Sequence, residues 1–363
     1  DTGGKVTSSG YLFAKGDLTV NNAELIVSGG GILLGHDNDQ SQTPYVGRFE
    51  SNSGTLTLSG GNIGVVDFAL QNGKITLTSG GAGSTNLTAY GEGGIQASPK
   101  PIYSGNANSS LTNMSGSLAD ATNITSIGVL TVDGGTYDLK GAVSDLSKNT
   151  DNLTYLSGAK ELKIQNKAVV NVSGTTNALH GKSISINDST INVKSGELTL
   201  GSSYDLHQRA SGSGTAPTNA GSITLTNAIL DIATGTTLDF GYGNDTATTL
   251  NITGGTITNS GTVNLYAPTA TMTNKNLHEL VAGTFDIKRD ATINITDDLD
   301  LTKDVLGDNG QLVSNKLTLT GNLTLDATNA TLGAKFDETK LTLVTDTLKV
   351  GEDFTQNKGT ITV

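Results

Sequence analysis

One short phrase recurs along this chain, and it limits the possible folds more than any other feature. From Leu18 the sequence reads LTVNNAELIV. The same shape returns as LTLSGGNIGV from Leu56, LTVDGGTYDL from Leu130, LKIQNKAVVNV from Leu162 and ISINDSTINV from Ile184. It continues as ITLTNAILDI from Ile223, LNITGGTITN from Leu250, FDIKRDATINI from Phe285 and LTLTGNLTL from Leu317. Each copy is an apolar-x-apolar pair, a short polar link and a second such pair. Alternation with a period of two marks strands that bury one face. Its return along the whole chain marks a repeat architecture, in which each unit buries its apolar face only against its neighbours.

The links decide between a hairpin and a bent corner. A tight hairpin needs two adjacent residues with positive φ, which favours Asn-Gly or Gly-Gly. Here the second link residue is Asn22, Gly60, Gly134, Asn166, Asp188, Asn227, Gly254 or Gly321, with Arg289 the exception. Gly, Asn and Asp are the residues that tolerate the left-handed region. The following position includes Ala23, Lys167, Ser189 and Ala228, which disfavour it. One left-handed residue per corner therefore predicts a parallel coil rather than stacked hairpins. Turns of about 20 residues give on the order of 14 to 16 turns, and strand spacing makes a body roughly 70 Å long. In such a coil Leu56, Leu58, Ile75 and Leu77 point inward, while Thr57 and Thr76 form part of a continuous polar outer surface. The stretch closest to a helix, NKNLHELV from Asn274 to Val281, is short enough to read as a loop turn.

Composition fits a thin aliphatic core. There are 47 glycines and no tryptophan, and aromatic residues make up 4 % of the chain. A net charge of −12 and the absence of any Lys/Arg cluster argue against nucleic acid and anionic polysaccharide as partners. The absence of cysteine removes disulfides and thiolate metal sites, and suits a chain that stays unfolded during export. No signal peptide opens the sequence, and no apolar run approaches the roughly 18 residues of a membrane helix.

Three stretches break the repeat: 35–51, 89–123 and 202–221. They hold Pro44, Pro99, Pro101 and Pro217, which interrupt strand ladders. They read as excursions from a single coil spanning residues 1–363, and excursions from solenoids are where ligands bind. Amphipathic and cationic side chains in them make the candidate anchors: Tyr45, Arg48, Tyr103, Tyr204, His207 and Arg209. Gly141 to Gly158 and Tyr266 to Gly283 are weaker irregularities.

Catalytic and metal chemistry find little footing. His36, His180, His207 and His278 lie far apart, and the Ser-Gly-Ser-Gly at Ser211 to Gly214 lacks a strand-turn-helix context. His36-Asp37-Asn38-Asp39 resembles the start of a calcium loop but lacks the later Gly and Glu. Asp297, Asp298 and Asp300 alternate with Leu299 and Leu301 as a solvated strand face would. No metal or cofactor is expected. A polysaccharide lyase is the enzyme alternative, with Arg48, Arg209 or Arg289 as base and acids supplied from distant turns. A phage tail or fibre segment is the structural alternative. Ice binding would need Thr-x-Thr on every turn, where this chain also places Asn, Asp, Ser and Lys.

The coil motifs, the Gly/Thr/Asn/Ser bias and the missing cysteines together resemble the passenger domains of bacterial autotransporters, of the self-associating or adhesin type. The resemblance implies an all-β, right-handed, three-faced parallel β-helix, exported through the outer membrane by a separate C-terminal barrel. It implies a cell-surface location, outer-membrane attached or released. The implied partners are another copy on a neighbouring cell, or a host matrix protein or glycan, with no membrane insertion by this segment. Protease members of that family carry an N-terminal domain with a Gly-Asp-Ser-Gly site, which this chain lacks, so the resemblance points to adhesion without catalysis.

Overall fold

The computed structural model describes residues 3–28, 30–34, 47–78, 85–89, 108–118, 122–126, 128–141, 154–175, 177–201, 221–241, 248–302, 305–306, 309, 311 and 317–363. These form a three-faced parallel β-helix. Every strand pairing among them is parallel, as the corner reading requires.

The first face is one unbroken register. Its inward row runs Leu18, Phe49, Phe68, Ser109, Leu130, Leu162, Ile184, Ile223, Leu250, Ala270, Ile293, Leu325, Leu343 and Ile361, one residue per turn. The second face stacks Val6, Leu25, Leu56, Ile75, Gly116, Tyr137, Val170, Ile191, Leu230 and Ile257. The third stacks Leu12, Ile32, Ile63, Leu87, Ile124, Leu156, Leu179, Leu200, Phe240, Leu265, Ile287 and Leu319. Leu56, Leu58, Ile75 and Leu77 are buried, and Thr57 and Thr76 line the outside. Each fully buried aliphatic side chain contributes about 1.5–3 kcal/mol against exposure, so the rows sum to a stable body with only a few aromatics, Phe49, Phe68, Tyr137 and Phe240, among them.

Among the described residues, the corner between the first and second faces carries all the non-glycine left-handed residues but Asp353, while Gly60, Gly174 and Gly196 are left-handed at the second-to-third corner. Asn22, Asn166, Asp188 and Asn227 have φ of 48°, 57°, 45° and 50°. Ser53, Asn72 and Asn113 occupy the same corner with φ of 55°, 49° and 51°. One residue per corner is not universal, however. Lys167 follows Asn166 with φ 62°, and Gly135 and Gly255 follow Gly134 and Gly254 with φ 79° and 76°. Two positive-φ residues thus bend the chain here without reversing it, because the next strand is held by the turns above and below.

The motif copies are not all in phase. Those at Leu18, Leu130, Leu162, Ile184, Ile223 and Leu250 cross from the first face to the second. The copy at Leu56 crosses from the second to the third, and those at Phe285 and Leu317 cross from the third to the first. This accounts for Arg289: it stands at a different corner. Gly321, at that same corner, is likewise not left-handed.

Residues 274–280 form a seven-residue helix rather than a loop turn. Thr273 caps it by accepting the Asn276 N–H at 3.2 Å. Leu277 and Leu280, three apart on one face, are buried beside Ile257 and replace the inward residues of a strand. Leu299 and Leu301 are buried while Asp297, Asp298 and Asp300 are exposed. The acids act locally: Asp297 accepts from the Asn274 N–H at 2.6 Å and Asp298 from Asn329 at 2.9 Å.

Phe49–Asn52, Asn108–Leu118 and Thr122–Ser126 are strands of the coil, so the first two excursions are shorter than composition suggests. In SSLTNMSGSL the small residues hid the inward positions Ser109, Leu111 and Leu118.

Candidate functional site

Where the excursions leave and rejoin the coil is a property of the register. Leu34 and Gly201 end strands of the third face, as does Ala89; Phe49, Asn108 and Ser222 begin strands of the first. All three excursions therefore depart from and return to the same edge of the rod. Beside that edge, on the outer side of the first face, lies a cleft of about 440 Å³.

The cleft is built from residues that no local motif links. Outward positions in register give its axis: Glu50, Ala69, Ser110, Thr131 and Lys163 on successive turns. Arg48, Asp67, Asn108 and Val129 line the side nearest the excursion edge. Small side chains at Ala69 and Ser110 leave the depression, and longer ones at Glu50, Arg48 and Lys163 raise its ends. The Arg48 side chain is 59 % exposed, with Nε 3.7 Å from Asp67 Oδ2. Lys163 Nζ lies 3.2 Å from Glu161.

Aspartates fix the entry points. Asp17 Oδ1 accepts the Arg48 N–H at 2.7 Å, and Asp67 Oδ1 accepts the Asn108 N–H at 2.8 Å. Asp290 does the same for the Asn322 N–H at 2.8 Å. Each precedes an inward apolar residue at the third-to-first corner and receives the amide of the following turn. The dipeptides Asp17-Leu18, Asp67-Phe68 and Asp290-Ala291 were the available sequence signal.

Of the sequence-predicted anchors, Arg48 lies in the cleft. Tyr45, Tyr103, Tyr204, His207 and Arg209 lie outside the described residues, as do His36, Asp37, Asn38 and Asp39. Glu50, Asp67, Asn108, Ser110, Thr131 and Lys163 were missed, because their proximity exists only once the turns are stacked.

A second polar cluster sits on the outer side of the third face. Asp239 is 4 % exposed and accepts from Asn264 Nδ2 at 2.6 Å. Burial pushes its carboxyl up to about 7, the adjoining Glu197 carboxyl adds to the rise, and the Asn264 hydrogen bond opposes it. On the next turn Asp286 pairs with Lys288 at 2.5 Å. Among the described residues, no group of three or more His, Asp or Glu side chains is placed to share a metal ion.

Elsewhere the outer surface carries ordered polar rows, interrupted by exposed apolar side chains such as Tyr11, Phe13 and Ile229. On the second face Asn192 donates to Asn171 at 2.9 Å and Asn171 to Asp138 at 2.9 Å. On the first face Thr249, Thr269, Thr292, Thr324, Thr342 and Thr360 stand in one register.

The architecture defines a class, the parallel β-helix solenoids. Beyond that class, no protein-family model matches the chain, and neither curated proteins nor solved structures yield a match.

Proposed function

We propose that this chain is the rod of a bacterial cell-surface adhesin that binds without catalysis. The observation that carries the reading is the set of in-register polar rows on the outer surface, the Asp138–Asn171–Asn192 ladder on the second face and the threonine row ending at Thr360 on the first. Hydroxyl and amide groups each contribute modestly to a contact. Repeated at a fixed spacing along a rigid body, and displayed in many copies on a cell, they sum through avidity. The cleft beside the excursion edge adds a local site to these distributed rows. Two partners suit it: a second rod on a neighbouring cell, and a host matrix protein or glycan. The resemblance to autotransporter passengers supplies the route to the cell surface.

Display of the chain on a non-aggregating bacterium tests the reading. Sedimentation of the culture within hours supports self-association. Attachment to matrix-coated plates without sedimentation supports host binding. A displayed, folded chain that does neither overturns the adhesin reading.

A further inference from the structure

We infer that the cleft on the first face binds a short neutral oligosaccharide lying along the rod axis; this rests on, and sharpens, the adhesin reading.

Shape comes first. The cleft's volume, about 440 Å³, falls in the range of small-ligand sites. Its axis crosses successive turns from Glu50 to Lys163, four rungs of about 4.8 Å or roughly 19 Å in all. That is an elongated trough open to solvent, suited to a linear ligand that touches several turns at once.

The chemistry of the lining then excludes the other linear ligands. A peptide that binds by adding a strand needs a free sheet edge. Here Phe49–Asn52 and Phe68–Gln71 are each paired on both sides, and so is the first-face part of Asn108–Leu118. An amphipathic helix needs an apolar groove, and a proline-rich peptide needs exposed aromatic walls. The apolar side chains directed outward here are only Ala69 and Val129, while Phe49 and Phe68 are each 2 % exposed with their positions in the inward row. Nucleic acid is opposed by Glu50 and Asp67 in the lining and by the net charge of −12.

A sugar chain matches what is left. Every ring carries hydroxyls that both donate and accept. The cleft offers acceptors on Glu50 and Asp67, donors on Arg48 and Lys163, and groups of both kinds on Asn108, Ser110 and Thr131. Ala69 and Val129 supply small apolar contacts for C–H faces. The two cations and two acids of the lining balance, and Glu161 beside Lys163 adds a further negative charge. A neutral saccharide is therefore favoured over an acidic one.

The test titrates the folded chain with neutral tetrasaccharides of glucose, galactose, mannose and N-acetylglucosamine, using calorimetry. Tetragalacturonate and an extended decapeptide serve as contrasting probes. Ala69→Trp fills the floor from an outward position, and Lys163→Ala removes one end should the first variant fail to fold. Thr76→Trp, outward on the second face, is the control. The expected result is saturable binding of at least one neutral tetrasaccharide, weakened tenfold or more by Ala69→Trp, several-fold by Lys163→Ala, and unchanged by Thr76→Trp. No neutral binder, equal binding by the folded cleft variants, or preference for tetragalacturonate or the peptide overturns the inference. Cells that still settle or attach while the sugar titration fails refute the cleft ligand and leave the adhesin reading standing. Sugar binding without either behaviour refutes the adhesin reading instead.

Discussion

Tyr137 lies against Gly116 on the preceding turn, and its buried hydroxyl donates to the Leu111 carbonyl at 3.0 Å. The Met114 N–H in turn donates to the Tyr137 hydroxyl oxygen at 3.4 Å. Gly116 stands in an inward position, where a Cβ would come 2.4 Å from the Ile75 side chain. One large residue is thus accommodated by a missing side chain on the adjacent rung, and its polar end is satisfied by the backbone at the Asn113 corner. Burial holds the phenol neutral well above its ordinary range.

Tyr137→Phe is expected to destabilise the adjoining turns by about 1–2 kcal/mol, because the Leu111 carbonyl loses its donor in a dry site. Gly116→Val is expected to cost more, on the order of 2–3 kcal/mol, by overpacking against Ile75 and Tyr137. In a solenoid each turn rests on its neighbours, so the loss is local. Amide exchange at residues 108–118 and 129–141 measures it; faster exchange confined to distant turns would refute the packing account.

The corner offers a second prediction. Asn227 has φ 50° and its Nδ2 donates to Asp188 at 3.2 Å on the preceding turn. Asn227→Gly removes that exposed bond but keeps the left-handed backbone at no steric cost, so a change within about 0.5 kcal/mol is expected. Asn227→Val adds a left-handed penalty of about 1–2 kcal/mol. Urea denaturation should rank glycine close to wild type and valine well below it. The reverse order would show that the side-chain ladder, not the torsion angle, sets the corner.

Much of the fold was legible because one torsion preference and one alternation period are local properties. Asn22, Asn166, Asp188 and Asn227 announce a bend in their own residue types, and Leu56 with Leu58 announces which side faces in. What stayed hidden is phase. Apolar-x-apolar reads alike on all three faces, so the copy at Leu56 looked equivalent to that at Leu18 although it occupies the next corner. The cleft was hidden for the same reason. Glu50, Ala69 and Lys163 line one cleft only through register, and Arg48 stands out because it falls within a proline-bearing stretch, not because its partners can be read. The helix at Asn274–Leu280 was too short for periodicity to show; the Thr273 cap, Asp297 on the Asn274 amide and buried Leu277 and Leu280 hold it.

A third prediction concerns the edge where the excursions rejoin. Asp67 holds the Asn108 amide at 2.8 Å and neighbours Arg48. Asp67→Ala leaves that amide to solvent and is expected to cost about 0.5–2 kcal/mol, as loss of a helix cap does. Amide exchange at residues 108–112 should then be faster than in wild type. Asp67→Asn retains an acceptor and should restore most of the protection. Equal exchange in all three proteins would remove Asp67 from this role.

The fourth prediction follows from Asp239. Its carboxyl is pushed up from an ordinary value near 3.8 to about 7 in the folded chain, first by burial and then by Glu197. The folded state therefore binds a proton between about pH 4 and pH 7 that the unfolded chain has released. Stability falls with rising pH wherever the folded state holds more protons, so this group's contribution is full below pH 4, declines through the window and levels off above pH 7. Asp239→Asn keeps a neutral hydrogen-bonding group at the site and removes the titration. Other groups titrate in the same range, so the informative quantity is the difference in urea midpoint between wild type and Asp239→Asn at each pH. Relative to the variant, wild type should lose stability steadily from pH 4.5 to pH 7. A constant difference across that range would show that Asp239 is ionised in the folded state throughout, with Lys288 and Asn264 outweighing burial.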